Sequence, residues 1–183
     1  MSLEELLSGP VVDAARGLLG RRLTSTIGGN PTSIVVLEVE AYSGGEDPAS
    51  HAFGGETPRN EAMFGPPGGL YVYRSYGIHW CMNVVCGPVG TARAVLLRGG
   101  MATEGIEVME RRRGRNINLT DGPGKLCQAL GVDGSLDRSN VFQGPVTISG
   151  EPMPGTISAS RRIGITKAVV REWRFVLKPA FNN

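Results

Sequence analysis

The sequence is short of the features that mark secreted, membrane-spanning and metal-binding proteins. Its three cysteines are an odd number without a Cys-x-x-Cys pair, so it predicts neither a disulfide framework nor a structural zinc site. No apolar run reaches roughly 18 residues, and Glu4 and Glu5 stand where a signal peptide requires cations. We therefore expect no membrane partner, no metal or cofactor, and a cytoplasmic location.

Lysine is also scarce, because 16 of the 19 basic residues are arginine. The arginine fork suits phosphate better than an ammonium does, so this balance hints at an anionic partner although the net charge is only +2. The length of 183 residues and the hydrophobic fraction of 40% are those of one compact domain with a single core. We predict one domain over residues 1–183, with binding and chemistry on the same body.

Periodicity and breaker residues predict a mixed α/β (α+β) fold, with a curved antiparallel sheet flanked by helices. Helices are predicted at 10–19, 103–113 and 123–130. Strands are predicted at 21–27 and 33–42, joined as a hairpin, and then at 70–75, 78–86, 91–97, 146–149 and 173–177. Residues 43–69 contain seven Gly and four Pro, which predicts a long loop of the kind that is usually functional in a compact domain.

Two acids share one face of the strand at 33–42. Alternation places Glu38, Glu40 and Tyr42 on one face, and Val35, Leu37, Val39 and Ala41 on the other. Carboxylates two positions apart lie roughly 6 to 7 Å apart, so each disfavours ionisation of the other unless a cation intervenes. Such a pair can supply a proton acceptor. An exposed sheet face with two ordinary acids is the alternative that spacing alone leaves open.

All four tyrosines and both histidines fall between positions 42 and 79. Tyr71 and Tyr73 share a strand face, and Tyr76 follows at a turn before Gly77. Flat, electron-rich rings can sandwich a purine, above all one made cationic by alkylation. Tyrosines in strands are also common packing residues with a hydrated hydroxyl, and this alternative applies to each ring taken alone.

Several ungapped blocks run through the chain in a fixed order from about Leu18 to Phe175. They lie at 37–42, 47–51, 57–60, 63–64, 70–73, 76–77, 81–83, 95–98 and 122–130. In sequence and in order these blocks resemble the alkyladenine DNA glycosylases found in animals and many bacteria. The resemblance covers most of the chain and favours a catalytic interpretation of the acids and the rings.

The resemblance implies a role for each matching residue of the site. Glu40 would be the general base that deprotonates the attacking water, and Arg98 would hold Glu40 and that water in place. The pocket around a flipped base would be formed by Tyr42, His51 and Tyr73, with backbone contacts from Ala49 and His51 and with Asn83 disfavouring the 2-amino group of guanine. Residues 162–165 would form the family's closing strand, which also contacts the water.

The same resemblance implies a DNA-binding surface. Tyr76 would enter the minor groove and fill the gap left by the flipped nucleotide, with Arg59, Ile78 and His79 contacting the DNA around it. His79 stands where mammalian members carry a tyrosine, so we expect altered groove contacts. Lys125 follows a glycine-rich turn into a helix N-terminus, a ready anion site, and is predicted to clamp a phosphate unless it merely faces solvent. The basic run at 111–115 has the same two interpretations.

These residues together predict a monofunctional DNA glycosylase of base-excision repair. It would act as a monomer on double-stranded DNA containing alkylated or deaminated purines, and would leave an abasic site. Strand cleavage would need an amine nucleophile, and none of the lysines Lys125, Lys167 and Lys178 matches a catalytic position of the family.

Two alternatives belong to other classes of protein. One is a metal-dependent nuclease that binds Mg²⁺ through Glu38, Glu40 and Asp47. The other is a module without catalytic activity that binds nucleic acid on the tyrosine strand. A nuclease would nick strands, and a binding module would release nothing.

Overall fold

A curled antiparallel sheet of eight strands forms the centre of the computed structural model, which describes residues 1–180. The strands are β1 (Arg22–Ser25), β2 (Thr32–Ser43), β3 (Leu70–Ser75), β4 (His79–Cys86), β5 (Arg93–Glu104), β6 (Val146–Ser149), β7 (Gly155–Ser160) and β8 (Arg174–Pro179). Their spatial order is β3-β4-β5-β2-β1-β6, while β8 pairs with β2 and β7 with β8. The predicted mixed α/β class with a curved antiparallel sheet is confirmed.

Within residues 1–180, four short α-helices accompany the sheet: α1 (Leu3–Ser8), α2 (Val11–Leu18), α3 (Ile106–Arg113) and α4 (Pro123–Leu130). The apolar stripe of α2 includes Ala14 and Leu18, which are fully buried and belong to the main core cluster with strand residues of the sheet. Helix α4 starts at Pro123 and ends at Gly131, whose positive φ of 73° lets its N–H reach the last carbonyls. Among the described residues no helix is long and apolar enough to cross a membrane.

Most of the predicted elements are present, with shifted ends. Strand β5 continues past residue 97 to Glu104, so the predicted helix at 103–113 begins only at Ile106. The continuation is possible because Gly99 and Gly100 pack tightly against neighbouring backbone, where a side chain has no room. Helix α1 and strand β7 were not predicted: α1 has only six residues, and β7 is largely exposed with only two apolar residues, Ile157 and Ala159.

The expected closing strand at 162–165 is wrong. These residues lie in the irregular segment between β7 and β8, and β8 pairs with β2 instead. The backbone of Gly164 has a φ of +74°, which interrupts an extended chain, and the side chain of Arg162 turns into the protein.

Paired irregularities between β2 and β5 decide which side chains face the site. Val36 pairs with Gly100, Glu38 with Gly99 and Val39 with Leu97, which leaves one extra residue on each strand, Leu37 and Arg98. A bulge of this kind re-aims side chains, here bringing Arg98 within ion-pair distance of Glu38 and Glu40.

The irregularity at Leu37 also corrects the predicted alternation along β2. The main core takes Ile34 and Val36 before it and Val39 and Ala41 after it, so the phase of the strand changes by one residue. The expectation that Val35 shares the face of Val39 and Ala41 is therefore wrong. Glu38 and Glu40 do lie together, because Arg98 contacts both.

Gly100→Ala should destabilise the fold, because its Cβ would lie 2.4 Å from the carbonyl oxygen of Val35 and 2.4 Å from Cδ1 of Ile34. Overpacking a tight site costs about 1 to 3 kcal/mol, and we expect the upper part of that range since one neighbour is backbone. Gly54→Ala is the control, because its Cβ meets nothing within 4 Å. Urea unfolding of both variants measures the difference, and equal midpoints would contradict the packing argument.

Candidate active site

A cavity of about 690 Å³ opens where the long loop, strands β3 and β4, and the segment before β8 meet. Its volume is that of a small-molecule site. Eight residues predicted for the site line it: Tyr42, Ala49, His51, Arg59, Tyr73, Tyr76, Asn83 and Arg98. Tyr71, Cys81 and residues 163–167 line it too, and among these Cys81, Thr166 and Lys167 are the ones to which sequence reasoning gave no role in the pocket.

Glu40 has no exposed surface and lies among residues that line the cavity. The Tyr42 hydroxyl donates a hydrogen bond to its Oε2 at 2.7 Å, and the backbone N–H of Ile163 donates to its Oε1 at 2.8 Å. The Arg98 guanidinium contacts the same Oε1 at 3.3 Å. A buried carboxylate with this many polar partners is compensated for its lost hydration.

Arg98 is the cation between the two acids of β2. Its Nε donates to Glu38 at 2.8 Å while its other end contacts Glu40, and Arg174 donates to Glu38 at 2.7 Å. Burial works to raise the pKa of Glu38, but the hydrogen bonds from Arg174 and Arg98 hold that pKa below its ordinary value. The repulsion expected between two neighbouring acids is therefore relieved by this cation.

Tyr42 is held as a hydrogen-bond donor. Burial, together with the neighbouring Glu40 carboxylate, raises the pKa of its phenol far above the ordinary value. The phenol therefore stays protonated at any physiological pH and donates a hydrogen bond to Glu40.

Aromatic rings form one wall of the cavity. The ring centroids of His51 and Tyr73 lie 4.5 Å apart edge to face, and Tyr71 stacks beside Tyr73 at 5.3 Å. His51 Nδ1 lies 2.9 Å from the Tyr71 hydroxyl. Burial and the nearby Arg59 lower the pKa of His51, so its ring is neutral at pH 7. Asn83 donates to the Tyr71 carbonyl at 3.0 Å, which fixes its amide at the cavity.

Tyr76 stands at the tip of the hairpin between β3 and β4. It is 91% exposed, and both Tyr76 and Gly77 have positive φ values, of 49° and 68°. These values match the tight hairpin turn closed by the Ile78 N–H on the Ser75 carbonyl at 3.0 Å. A left-handed backbone at a bulky aromatic residue is strained, and strain of this kind clusters at functional sites.

The remaining predicted DNA contacts lie outside the cavity lining. Ile78 is 66% exposed beside Tyr76, and His79 packs over Gly124 at the start of α4. Lys125 is partly exposed and pairs with Asp121 at 3.1 Å. In the basic run at 111–115, Arg112 donates to the Ala129 carbonyl at 3.1 Å and so joins α3 to α4. The structure therefore favours an internal role for Arg112.

A second ion pair, between Asp47 and Arg162, lies under the site. Both side chains are fully buried, and Arg162 Nη2 donates to Asp47 at 2.8 Å. Burial works to raise the pKa of Asp47, but the hydrogen bonds and charge of Arg162 hold that pKa below its ordinary value. Sequence reasoning used Asp47 only as a possible metal ligand, and it had no signal for this partner 115 positions away.

Each carboxylate of the hypothetical metal site already has a guanidinium partner. Glu38 receives Arg98 and Arg174, Glu40 receives Arg98, and Asp47 receives Arg162. Within residues 1–180 there is no group of three or more His, Cys, Asp or Glu that could hold a metal ion. Arginine occupies the oxygen positions that Mg²⁺ would need.

A buried carboxylate next to a cavity walled by aromatic rings defines a candidate hydrolytic site for a flat, ring-shaped group. The family model described as methylpurine-DNA glycosylase matches residues 5–180. The chain belongs to this family.

Relatives agree along most of the chain. A protein of Agrobacterium fabrum is 47% identical over 169 residues, covering 91% of this chain and 83% of its own, and one of Frankia casuarinae is 46% identical over 183 residues, covering 92% and 84%. A protein of Rhodopseudomonas palustris (strain BisB18) is 51% identical over 146 residues, covering 79% and 72%. All three carry the name "Putative 3-methyladenine DNA glycosylase".

Proposed function

We propose that the protein is a monofunctional DNA glycosylase of base-excision repair. It removes alkylated or deaminated purines of the 3-methyladenine, 7-methylguanine, hypoxanthine and ethenoadenine class from double-stranded DNA. The family and the names of the relatives support the reaction class. The observation that carries the mechanism is the position of Glu40, buried beside the aromatic cavity and held by Tyr42, Arg98 and the N–H of Ile163.

The damaged nucleotide must first leave the helix. Flipping costs a few kcal/mol, and least for weakly paired or damaged bases, so selection begins before chemistry. The flipped base enters the cavity and packs against the rings of His51 and Tyr73. A cationic alkylpurine is attracted to aromatic faces, and a neutral His51 sets no opposing charge against it. Both features favour damaged purines over normal ones.

Hydrolysis then needs a base and a counter-charge at the sugar. Breaking the N-glycosidic bond sends its electron pair to the departing purine and builds positive charge on the sugar. A cationic alkylpurine thereby leaves as a neutral base, whereas a neutral lesion takes up a proton from solvent as it leaves. Glu40 stabilises that charge and takes a proton from water, whose oxygen bonds to the sugar carbon. Arg98 fixes the carboxylate during both steps. The products are a free base and an abasic site, and we propose that the enzyme acts as a cytoplasmic monomer.

The test is a duplex with one lesion, incubated in EDTA and assayed separately for free base, abasic site and strand break. We expect free base and abasic sites without breaks. Breaks that disappear in EDTA would support the nuclease, and binding without release would support the non-catalytic module. Breaks that persist in EDTA would point to the amine of Lys167, which lines the cavity, and would contradict the monofunctional assignment.

Glu40→Gln should keep lesion binding but lower the single-turnover excision rate by about 10² to 10⁴, the usual contribution of a positioned acid–base group. Single-turnover kinetics with enzyme in excess separates this effect from binding. Glu61→Gln is the control, since its carboxylate pairs with Arg138 at the surface. Retention of more than about half of the normal rate would exclude Glu40 as the base and make Glu38 the next candidate.

Tyr76→Ser should reduce the flipped population by about tenfold or more, because a ring in the vacated stack contributes roughly 1 to 3 kcal/mol. The defect should be largest for a lesion in a stable pair and smallest in a bubble that is already open. Fluorescence of 2-aminopurine beside the lesion reports flipping directly. Tyr76→Phe, which keeps the ring, should behave like the wild type. Equal defects on paired and bubble substrates would argue against the wedge.

Lys125→Ala should flatten the salt dependence of DNA affinity, since each phosphate contact on a duplex releases about 0.9 counterion. The clamp requires Lys125 to exchange Asp121 for a phosphate, which is possible because neither side chain is buried. The slope of log affinity against log salt should fall by about 0.9. Lys178→Ala serves as the control, because Lys178 is an exposed lysine on β8. An unchanged slope for Lys125→Ala would mean that this residue faces solvent only.

A further inference from the structure

The buried ion pair of Asp47 and Arg162 carries a free-energy cost of desolvation. Both side chains are 0% exposed, and the Nε of Arg162 has no hydrogen-bond partner among the described residues. A buried ion pair loses its hydration, and the attraction between its charges offsets that loss only in favourable geometry. A protein with packed apolar side chains in place of the pair is therefore often as stable or more stable. An unsatisfied buried donor adds to this cost. The pair is therefore poorly explained by stability alone.

Arg162 joins three parts of the site. It donates to Asp47 in the long loop at 2.8 Å and to the carbonyl of Ala41 on β2 at 2.9 Å, and its guanidinium lies 4.6 Å from the centre of the Tyr42 ring. The next residue along the chain, Ile163, donates its N–H to Glu40 Oε1 at 2.8 Å.

The two hydrogen bonds that Glu40 receives therefore both involve neighbours of Arg162. The N–H of Ile163 is one residue away and binds Oε1, while the hydroxyl of the Tyr42 ring under the guanidinium binds Oε2. An irregular segment carries Ile163, so no strand pairing fixes its N–H. The contacts of Arg162, the preceding residue, hold this N–H in place instead.

We propose that Arg162, held by Asp47, is a positioning residue that sets the orientation of the Glu40 carboxylate through Ile163 and Tyr42. The proposal rests on the role of Glu40 given above. Arg162 does not touch the base, because its side chain is buried and outside the cavity lining. A shift of about 1 Å in a catalytic group can cost on the order of a hundredfold in rate.

The test compares Arg162→Lys and the milder Asp47→Asn in single-turnover excision from a lesion duplex. Arg162→Lys keeps a charge but loses the fork, and it should lower the rate by about tenfold to a hundredfold, with lesion affinity changed less than about threefold. Arg21→Lys is the matched control, since Arg21 is another buried arginine, bonded to the carbonyls of Gly17 and Gly150 away from the cavity. It should lower the thermal midpoint but leave the rate within about twofold.

Two readouts separate positioning from general destabilisation. In the Glu40→Gln background, Arg162→Lys should lower the excision rate by less than about a further twofold, because a residue that acts through the Glu40 carboxylate has nothing left to position. The second readout is lesion affinity, which should stay within about threefold in Arg162→Lys although the rate falls, because Arg162 acts through Glu40 and does not touch the base.

Each other outcome counts against the proposal. Rate losses that multiply in the double variant, or an equal loss in Arg21→Lys, would reduce Arg162 to a structural residue while the glycosylase assignment stands. If Arg162→Lys fails to fold, Asp47→Asn decides, with an expected loss of about threefold to tenfold and the same non-additivity with Glu40→Gln. A wild-type enzyme that releases no base would overturn the proposed function and this inference together.

Discussion

A carboxylate without exposed surface is the constraint around which the site of this protein is organised. Moving such an ion out of water costs several kcal/mol unless donors replace the lost hydration. Glu40 receives those donors from three places: Tyr42 on its own strand, Arg98 on β5 and the N–H of Ile163 before β8. The sheet has to bring all three to one point, so the correct pairing of β2, β5 and β8 is also a condition for a satisfied Glu40.

Arginine is the cation of this interior for a geometric reason. Arg98 contacts Glu38 and Glu40 with two different nitrogens, and Arg162 does the same with Asp47 and the Ala41 carbonyl. A planar fork with several donors can make such divided contacts, whereas the single ammonium of lysine cannot reach both partners in fixed directions.

The composition is explained in part by these internal contacts. The excess of arginine over lysine hinted at an anionic partner, yet Arg21, Arg98, Arg112 and Arg162 bind carboxylates or carbonyls of the chain itself. Fewer arginines are therefore available to bind an anionic partner than the composition alone indicates. Exposed arginines such as Arg59 are the ones that remain available for an anionic partner.

Local signals made much of the fold predictable. Turn residues and runs of β-branched and aromatic residues delimit the hairpin of β1 and β2 and the strands β3 and β4, and clear breakers separate these runs. The change of phase at Leu37 was not predictable, since the bulge depends on the register with β5 and on the glycines there. Strand β7 was not predicted because only two of its six residues, Ile157 and Ala159, are apolar, which is too short a pattern to indicate a strand.

The residues of the site, like the elements of the fold, were predictable where the sequence signal is local and not where it depends on tertiary contacts. The aromatic residues and Glu40 lie in ungapped blocks that resemble one family, and the structure does gather most of them around a single cavity. The pair of Asp47 and Arg162 joins positions 115 residues apart and has no local pattern. A buried charge looks like a surface charge in a sequence, so only the tertiary structure identifies it.

The contacts of Glu40 also bear on how a fully buried group could act as the base that we propose. A carboxylate has about four lone-pair positions, and two hydrogen bonds with one ion-pair contact from the described residues occupy at most three. At least one position therefore remains for the proton that the proposed reaction takes from water. Glu40 itself has no exposed surface, but Tyr42, Arg98 and Ile163, which contact it, all line the cavity. A fourth protein donor would satisfy the buried charge more completely, and it would also remove the position on which the proposed chemistry depends.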